Sequence, residues 1–278
     1  MIGNKNGYIV FFYSNFYFHL PVVNRKMKKV FSNGTAALII VLSMFSCKKE
    51  TDTQTSIPKN TLPPVSIPDD AQIFFRSSLF FVSSAGTYGQ TAEYKVGDAF
   101  AFFKDFAFAK VSAGEVTVNG FPLSKDANGN YTYTKPGNVP EGISFIGNLA
   151  AWRTTGDTAS GIPAIAVDDN SPFPAKPIIQ DRKINTQETF LLAARDSVIA
   201  DSTVFIIAGP KGSVRKVKGP NARSCVFSKE ELKTLGTGRS LGLIQISPFN
   251  TVLDTNTISG YRVYFQKQTI ASRYIDLE

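Results

Sequence analysis

From Ala71 onward the chain alternates. Short runs in which every second residue is apolar follow one another, separated by clusters of Gly, Pro, Asn and Asp. A period of two is what a strand with one buried face requires, whereas a helix needs apolar residues three and four apart. Ile73-Phe74-Phe75, Leu79-Phe80-Phe81-Val82, Thr203-Val204-Phe205-Ile206-Ile207, Leu241-Gly242-Leu243-Ile244-Gln245-Ile246 and Tyr261-Arg262-Val263-Tyr264-Phe265 are rich in residues that fit a pleated surface. Runs about ten residues apart, with turn residues between them, predict an all-β sandwich. Phe100, Phe102, Phe106 and Phe108 share one parity across 99–109, which predicts a strand burying all four rings on one face.

The turns sharpen this. Val116-Thr117-Val118 and Phe121-Pro122-Leu123 flank Asn119-Gly120, the pair that best tolerates positive φ at both centres of a type I′ turn. Asp126-Ala127-Asn128-Gly129-Asn130 leads into Tyr131-Thr132-Tyr133, so two successive hairpins, a β-meander, are expected. One short helix interrupts the strands: Ser228 caps it, Glu231 completes a capping box, Leu232 and Leu235 face inward and Gly236 ends it. Trp152, the only tryptophan, is expected in the core. Asp168-Asp169-Asn170-Ser171-Pro172, followed by Pro174 and Pro177, marks a change of character. It divides a sandwich over 71–167 from a second over 176–278.

The amino-terminal part has another composition. Met27-Lys28-Lys29 precedes an apolar run, Ala36 to Leu42, and then Ser43-Met44-Phe45-Ser46-Cys47. A positive start and an apolar stretch too short to span a bilayer read as a signal peptide over 27–46. Residues 1–26, with Phe11, Phe12, Phe16, Tyr17 and Phe18, read as sequence upstream of the true start. Leu42 to Cys47 resembles the loose lipobox of Bacteroidota-type lipoproteins, with Ser46 as the small residue before the cysteine. The resemblance implies cleavage before Cys47 and lipid on that cysteine. It also implies a place in the cell envelope, at the outer membrane, facing periplasm or surface. Residues 47–70, carrying Pro58, Pro63, Pro64 and Pro68, cannot bury a core and read as a flexible tether.

This reading changes what the charge means. The chain carries +8, with 30 basic and 22 acidic residues. Lys5, Arg25, Lys26, Lys28 and Lys29 precede Cys47 and no acid does; taking those five away leaves 25 basic against 22 acidic, or +3. Near balance gives no electrostatic case for nucleic acid. The single histidine, His19, also precedes Cys47, so the processed chain would have no imidazole for a catalytic triad or a histidine metal site. Cys225, the other cysteine, sits on a strand-like run and reads as a small buried hydrophobe.

Residues 115–121 (EVTVNGF), Trp152 with Gly156 and Ile162-Pro163, Phe173-Pro174 and Asp201-Ser202-Thr203-Val204 resemble uncharacterised lipoproteins of the same bacterial group. The resemblance implies two tandem immunoglobulin-like β-sandwich domains after a lipoprotein signal peptide and flexible tether. It names no activity.

Other motifs yield to simpler readings. Asp126, Asn128 and Asn130 open like a calcium loop, but Tyr131 stands where glycine is needed and Gly137 where the bidentate glutamate is needed. Gly236-Thr237-Gly238 with Gly242 misses the dinucleotide spacing, and Gly209-Pro210-Lys211-Gly212-Ser213 lacks a phosphate loop's order. No metal or cofactor is implied. Asp168-Asp169 and Glu230-Glu231 are sequence neighbours whose side chains diverge, so neither makes a glycosidase pair. Tyr88, Tyr94, Tyr131 and Tyr133 suit packing more than sugar stacking. Lys211, Arg215, Lys216, Lys218 and Arg223 form the one basic cluster after Cys47, and Val214 and Val217 among them have opposite parity. That cluster is the candidate ligand-binding site, for an anionic glycan, headgroup or acidic partner. The expected function is a non-enzymatic binding or adhesion module for a glycan or protein. The alternatives are a structural partner docking by a sheet edge, and a hydrolase using carboxylates alone.

Overall fold

The computed structural model describes residues 8–13, 16–21, 67–85, 91–134, 142–254, 258 and 260–278. Residues 1–59 and 60–278 form separate compact units. In the first, β1 (Tyr8–Tyr13) pairs antiparallel with β2 (Phe16–Pro21).

The second unit is nearly all β. Its long strands are β3 (Ile73–Ala85) and β4 (Thr91–Phe103). Five short strands follow: β5 (Val116–Val118), β6 (Phe121–Pro122), β7 (Ser124–Lys125), β8 (Asn130–Thr132) and β9 (Ala150–Thr154). Next come β10 (Ile165–Asp169), β11 (Lys183–Ile184), β12 (Phe190–Ala193), β13 (Ser202–Gly209), β14 (Gly212–Lys218) and β15 (Ser224–Phe227). Helix α1 (Lys229–Lys233) precedes the long β16 (Gly238–Asp254) and β17 (Val263–Leu277). One sheet runs in the order β14-β13-β16-β17-β3-β4-β8-β7, with β11 beside the end of β17.

The stretches 71–167 and 176–278 therefore share a sheet. Strand β17 pairs antiparallel with β16 and parallel with β3, from Val263 opposite Ile73 to Arg273 opposite Ser83. Because side chains alternate, the register assigns Val263, Phe265, Lys267, Thr269, Arg273, Ile275 and Leu277 to one face. Two hydrophobic cores lie on that face. The first joins Phe75, Phe103, Val263 and Phe265 to Val116, Val118, Trp152 and Ile165. Those last four belong to the smaller sheet β10-β9-β5-β6, so this core is sheet packed on sheet. The second joins Phe205, Ile207, Ile244, Ile246, Ile275 and Leu277 to Leu192, Cys225 and Phe227 of the β12-β15 pair and to Leu232 and Leu235.

Residues 170–182 run between the cores without strand structure and are fastened to β17. Thr269 Oγ1 donates to the Pro174 carbonyl (2.6 Å) and Arg273 Nη1 to that of Ile179 (3.0 Å), while just before the segment Lys267 Nζ donates to the carbonyls of Asp169 (3.3 Å) and Asn148 (2.6 Å). The change of composition near Pro172 marks this strap.

The local expectations divide. Asn119 (φ 49°) and Gly120 (φ 79°) both take positive φ between β5 and β6, as a type I′ turn requires. Asn119 does more than turn: its side chain donates to the Ser144 and Leu149 carbonyls and accepts from the Ala151 N–H. The second hairpin, β7-β8, also forms, but in the large sheet while β5-β6 lies in the small one. The chain thus crosses between layers at Leu123, and no continuous meander results. The α1 capping box is present with both hydrogen bonds, and Gly236 follows at φ 74°. Trp152 is buried with its ring 4.8 Å from that of Phe75. Cys225 is buried too, and burial pushes its thiol pKa up.

Candidate functional site

Cys47, residues 27–46 and residues 48–66 lie outside the described residues. No helix among the described residues is long and apolar enough to cross a membrane.

The basic cluster is built around β14, which forms one edge of the large sheet. Its inner side pairs with β13 from Thr203 opposite Lys218 to Gly209 opposite Gly212. Its outer side has no strand partner among the described residues. Alternation splits the cations: Arg215, opposite Ile206, lies on one face, and Lys216 and Lys218 on the other.

Several of these cations serve the fold. Lys216 Nζ reaches Glu231 Oε2 at 2.7 Å, donates to the Val226 carbonyl at 2.9 Å and sits 5.2 Å from the Phe227 ring centre. Its hydrogen bond, followed by that from the Ser228 N–H, holds the Glu231 carboxyl below its usual pKa. Arg223 Nε donates to the Ala194 carbonyl at 3.0 Å, tying β15's approach to β12. Lys211 lies in the β13-β14 turn with its backbone N–H on the Leu235 carbonyl. Arg215 has Nε and Nη2 buried without a hydrogen-bond partner, and burial lowers its pKa. Lys218 is exposed near the strand's end. Arg215, Lys216 and Lys218 lie along β14, Lys211 in the turn before it and Arg223 in the approach to β15, and the five do not converge on one face. The edge presents Arg215 to one side, Lys218 to the other, and backbone polar groups between them, which suits an added strand more than a closed ligand pocket.

The carboxylates give no second centre. Asp126 Oδ1 accepts from the N–H groups of Asn128 and Asn130 at 2.8 Å each, and Oδ2 accepts from the Asn130 amide at 3.0 Å, so turn chemistry engages that carboxylate. Asp98, on the sheet face away from the two cores, has its pKa pushed up to about 6 by burial, opposed by the charge of Arg76. Its electrostatic neighbour is a cation, whereas carboxylate hydrolysis needs a second acid. Tyr131 and Tyr133 are core residues, Tyr94 is exposed, and Tyr88 lies outside the described residues.

The parity of four phenylalanines misled in an informative way. Strand β4 ends at Phe103, and Asp105 starts a turn. Phe102 is buried and Phe100 partly so, but Phe106 is 66 % exposed and Phe108 is 49 % exposed. Asp105 Oδ1 accepts from the N–H groups of Ala107 and Ala109, both at 2.9 Å, and its backbone N–H donates to the Ala109 carbonyl at 3.0 Å. Phe108 is held at φ 63°, a left-handed conformation that costs a bulky L-residue about 1–2 kcal/mol. Lys104 Nζ lies 5.1 Å from the Phe102 ring centre and 5.7 Å from that of Phe108. Only the pairing of an Asx-forming Asp105 with two small alanines hinted at the turn; alternation alone hid it.

Among known proteins, no family model matches the chain and no curated protein matches it.

Proposed function

We propose that this protein is a cell-envelope lipoprotein, anchored at the outer membrane through lipid on Cys47. On this reading, its β-domain is a non-enzymatic binding or adhesion module. The β14 edge is where a partner docks, and an extended segment of an envelope protein suits it better than a glycan. The observation that carries this reading is the seven-residue strand whose outer side has no strand partner among the described residues, flanked by Arg215 and Lys218. An added strand would draw affinity from main-chain hydrogen bonds, and the two cations would favour acidic side chains alternating on it. The sequence signals at Met27-Lys28-Lys29 and Ser46-Cys47 support the anchor. A binding role is further supported by the lack of histidine after Cys47 and by the buried, proton-retaining thiol of Cys225.

Two measurements test this. Intact mass of the protein taken from native membranes should show a chain starting at a triacylated or diacylated Cys47; a species retaining His19 overturns the anchor. A photo-crosslinking side chain at Ser213 or Lys218 in living cells should give a discrete adduct, and the same probe at Lys125 on the opposite sheet edge should not. Equal labelling at both edges overturns the docking edge.

A further inference from the structure

We infer that loop 104–110 is a second membrane contact, one that seats its two exposed phenyl rings at the headgroup level of an anionic bilayer. The inference rests on the lipid anchor proposed above.

Three observations converge on the loop. The first is its composition in space: Phe106 and Phe108 are the exposed apolar tip, and Lys104 and Lys110 stand at its base, bridged to each other through the backbone. Aromatic rings at the acyl boundary with lysines reaching back to headgroups are the pattern of a surface-bound segment. Asp105 accepts the loop's own N–H groups, and the formal charge over Lys104, Asp105 and Lys110 is +1.

The second is rigidity. The Asp105 clamp fixes the loop, and Phe106 lies on the buried Tyr261 with ring centres 4.7 Å apart. Tyr261 in turn donates its hydroxyl to the Gly161 carbonyl at 3.1 Å. The Asp105 turn holds Phe108 at φ 63° with its ring about half exposed.

The third is the direction from which the chain arrives. Ile67 packs against the cluster of Ala71, Phe74 and Phe102, and the Lys104 N–H donates to the Gln72 carbonyl at 2.7 Å. The tether therefore enters the domain at the base of this loop. Ile67 lies 20 positions after Cys47, so on the lipid anchor the point where the chain enters the domain stands within a fully extended reach of about 70 Å of the bilayer. On that anchor, the end of the domain that the chain enters is within reach of the bilayer, so even a weak interfacial contact is made at raised effective concentration.

The test uses the full chain carrying Phe106→Trp, reconstituted into vesicles of phosphatidylethanolamine and phosphatidylglycerol with bromines placed near the headgroups. Trp152 is buried in the core and serves as the internal background. The expected result is blue-shifted emission with the new indole's fluorescence quenched about twofold or more. Quenching should weaken when phosphatidylcholine replaces phosphatidylglycerol. Adding Phe108→Ala should reduce it several-fold without moving the melting temperature. Leu191→Trp, an exposed site on the outward side of β12, should stay unquenched. Emission that remains at the solvent wavelength overturns the proposal. So does emission that shifts only when soluble envelope protein is added, which would make the loop a protein contact. Flotation of the wild-type protein with the vesicles reports the anchor separately. If flotation fails, the anchor is wrong, while adding the same vesicles to the free protein still reads the loop.

Discussion

The two cores on the inner sheet face solve one packing problem with different residues. The first is filled by rings: Trp152 lies tilted on Phe75 at a centre distance of 4.8 Å, Phe265 stacks on Phe75 at 5.3 Å, and Phe103 meets Tyr131 edge-on at 5.5 Å. The second is mostly branched aliphatics, Ile184, Leu192, Val198, Ile207, Ile244, Ile246, Ile275 and Leu277, around Phe205 and Phe227. The closing layers differ as well. A four-stranded sheet closes the first core, and a two-stranded pair with one short helix closes the second. Both cores hang on β17, which contributes Val263 and Phe265 to one and Ile275 and Leu277 to the other. A sequence boundary and a structural boundary are therefore different things in this chain.

The largest expected effect comes from the ring-filled core. Trp152→Ala should destabilise by about 3–5 kcal/mol, because the void left by an indole among rings cannot collapse. Leu192→Ala, at the same burial in the aliphatic core, should cost about 2–4 kcal/mol. Since β17 runs through both, each variant should melt in a single calorimetric transition. Two transitions, one of them unshifted, would show the cores to be independent domains.

The strap between the cores is the next place to press. Lys267 is buried, with Asp169 Oδ2 at 3.6 Å and the rings of Phe173 and Phe145 at 4.5 and 5.7 Å. Burial lowers its pKa and the Asp169 charge opposes that. Lys267→Ala would leave the Asn148 and Asp169 carbonyls without this donor and the Asp169 carboxyl with Ser171 alone, and should cost about 3 kcal/mol. Lys267→Met retains the stem and should cost less. In the alanine variant the heat-unfolding transition should broaden or split, because the strap couples the cores. An equally sharp transition in both variants would mean that the shared strands alone carry the coupling.

Much of this architecture was legible in the sequence where the cause is local. Asn119-Gly120, the Ser228–Glu231 capping box and the continuous apolar run of β13, buried on both faces, are readable within a few residues. The shared sheet was not legible. Its parallel β3-β17 pair joins residues 190 apart in sequence, and β17 carries Gln266, Lys267, Gln268 and Thr269 in its buried centre, where a simple polar-out rule places them in solvent. Composition at 168–177 registered a strap and could not say what the strap crossed. At the candidate sites, the basic residues were visible as a run, but the sheet edge and the partners of Lys216 and Arg223 needed the fold. The exposed rings of Phe106 and Phe108 were hidden by a parity that ends with the strand.

The outer sheet face supplies the control, and the smallest effect. Asp98 lies there, away from both cores, and its pKa near 6 means the folded state holds a proton that the unfolded chain has released above about pH 4. A raised carboxyl pKa therefore makes the wild-type protein lose stability as pH rises from about 4 to 6, by an amount on the order of 1–3 kcal/mol. Carboxyls held low, such as Asp126 and Glu231, contribute the opposite slope at lower pH, so the total curve mixes the two. Asp98→Asn isolates one of them. The variant should be about 1 kcal/mol more stable than wild type at pH 7, the gain being partly offset because Arg76 loses its nearby charge, and it should show no gain at pH 4. Denaturant midpoints at pH 4, 5, 6 and 7 would show this as a difference that opens across the window. Parallel curves for the two proteins would mean that the Asp98 carboxyl titrates as it does in water, and that this face is wetter than either core.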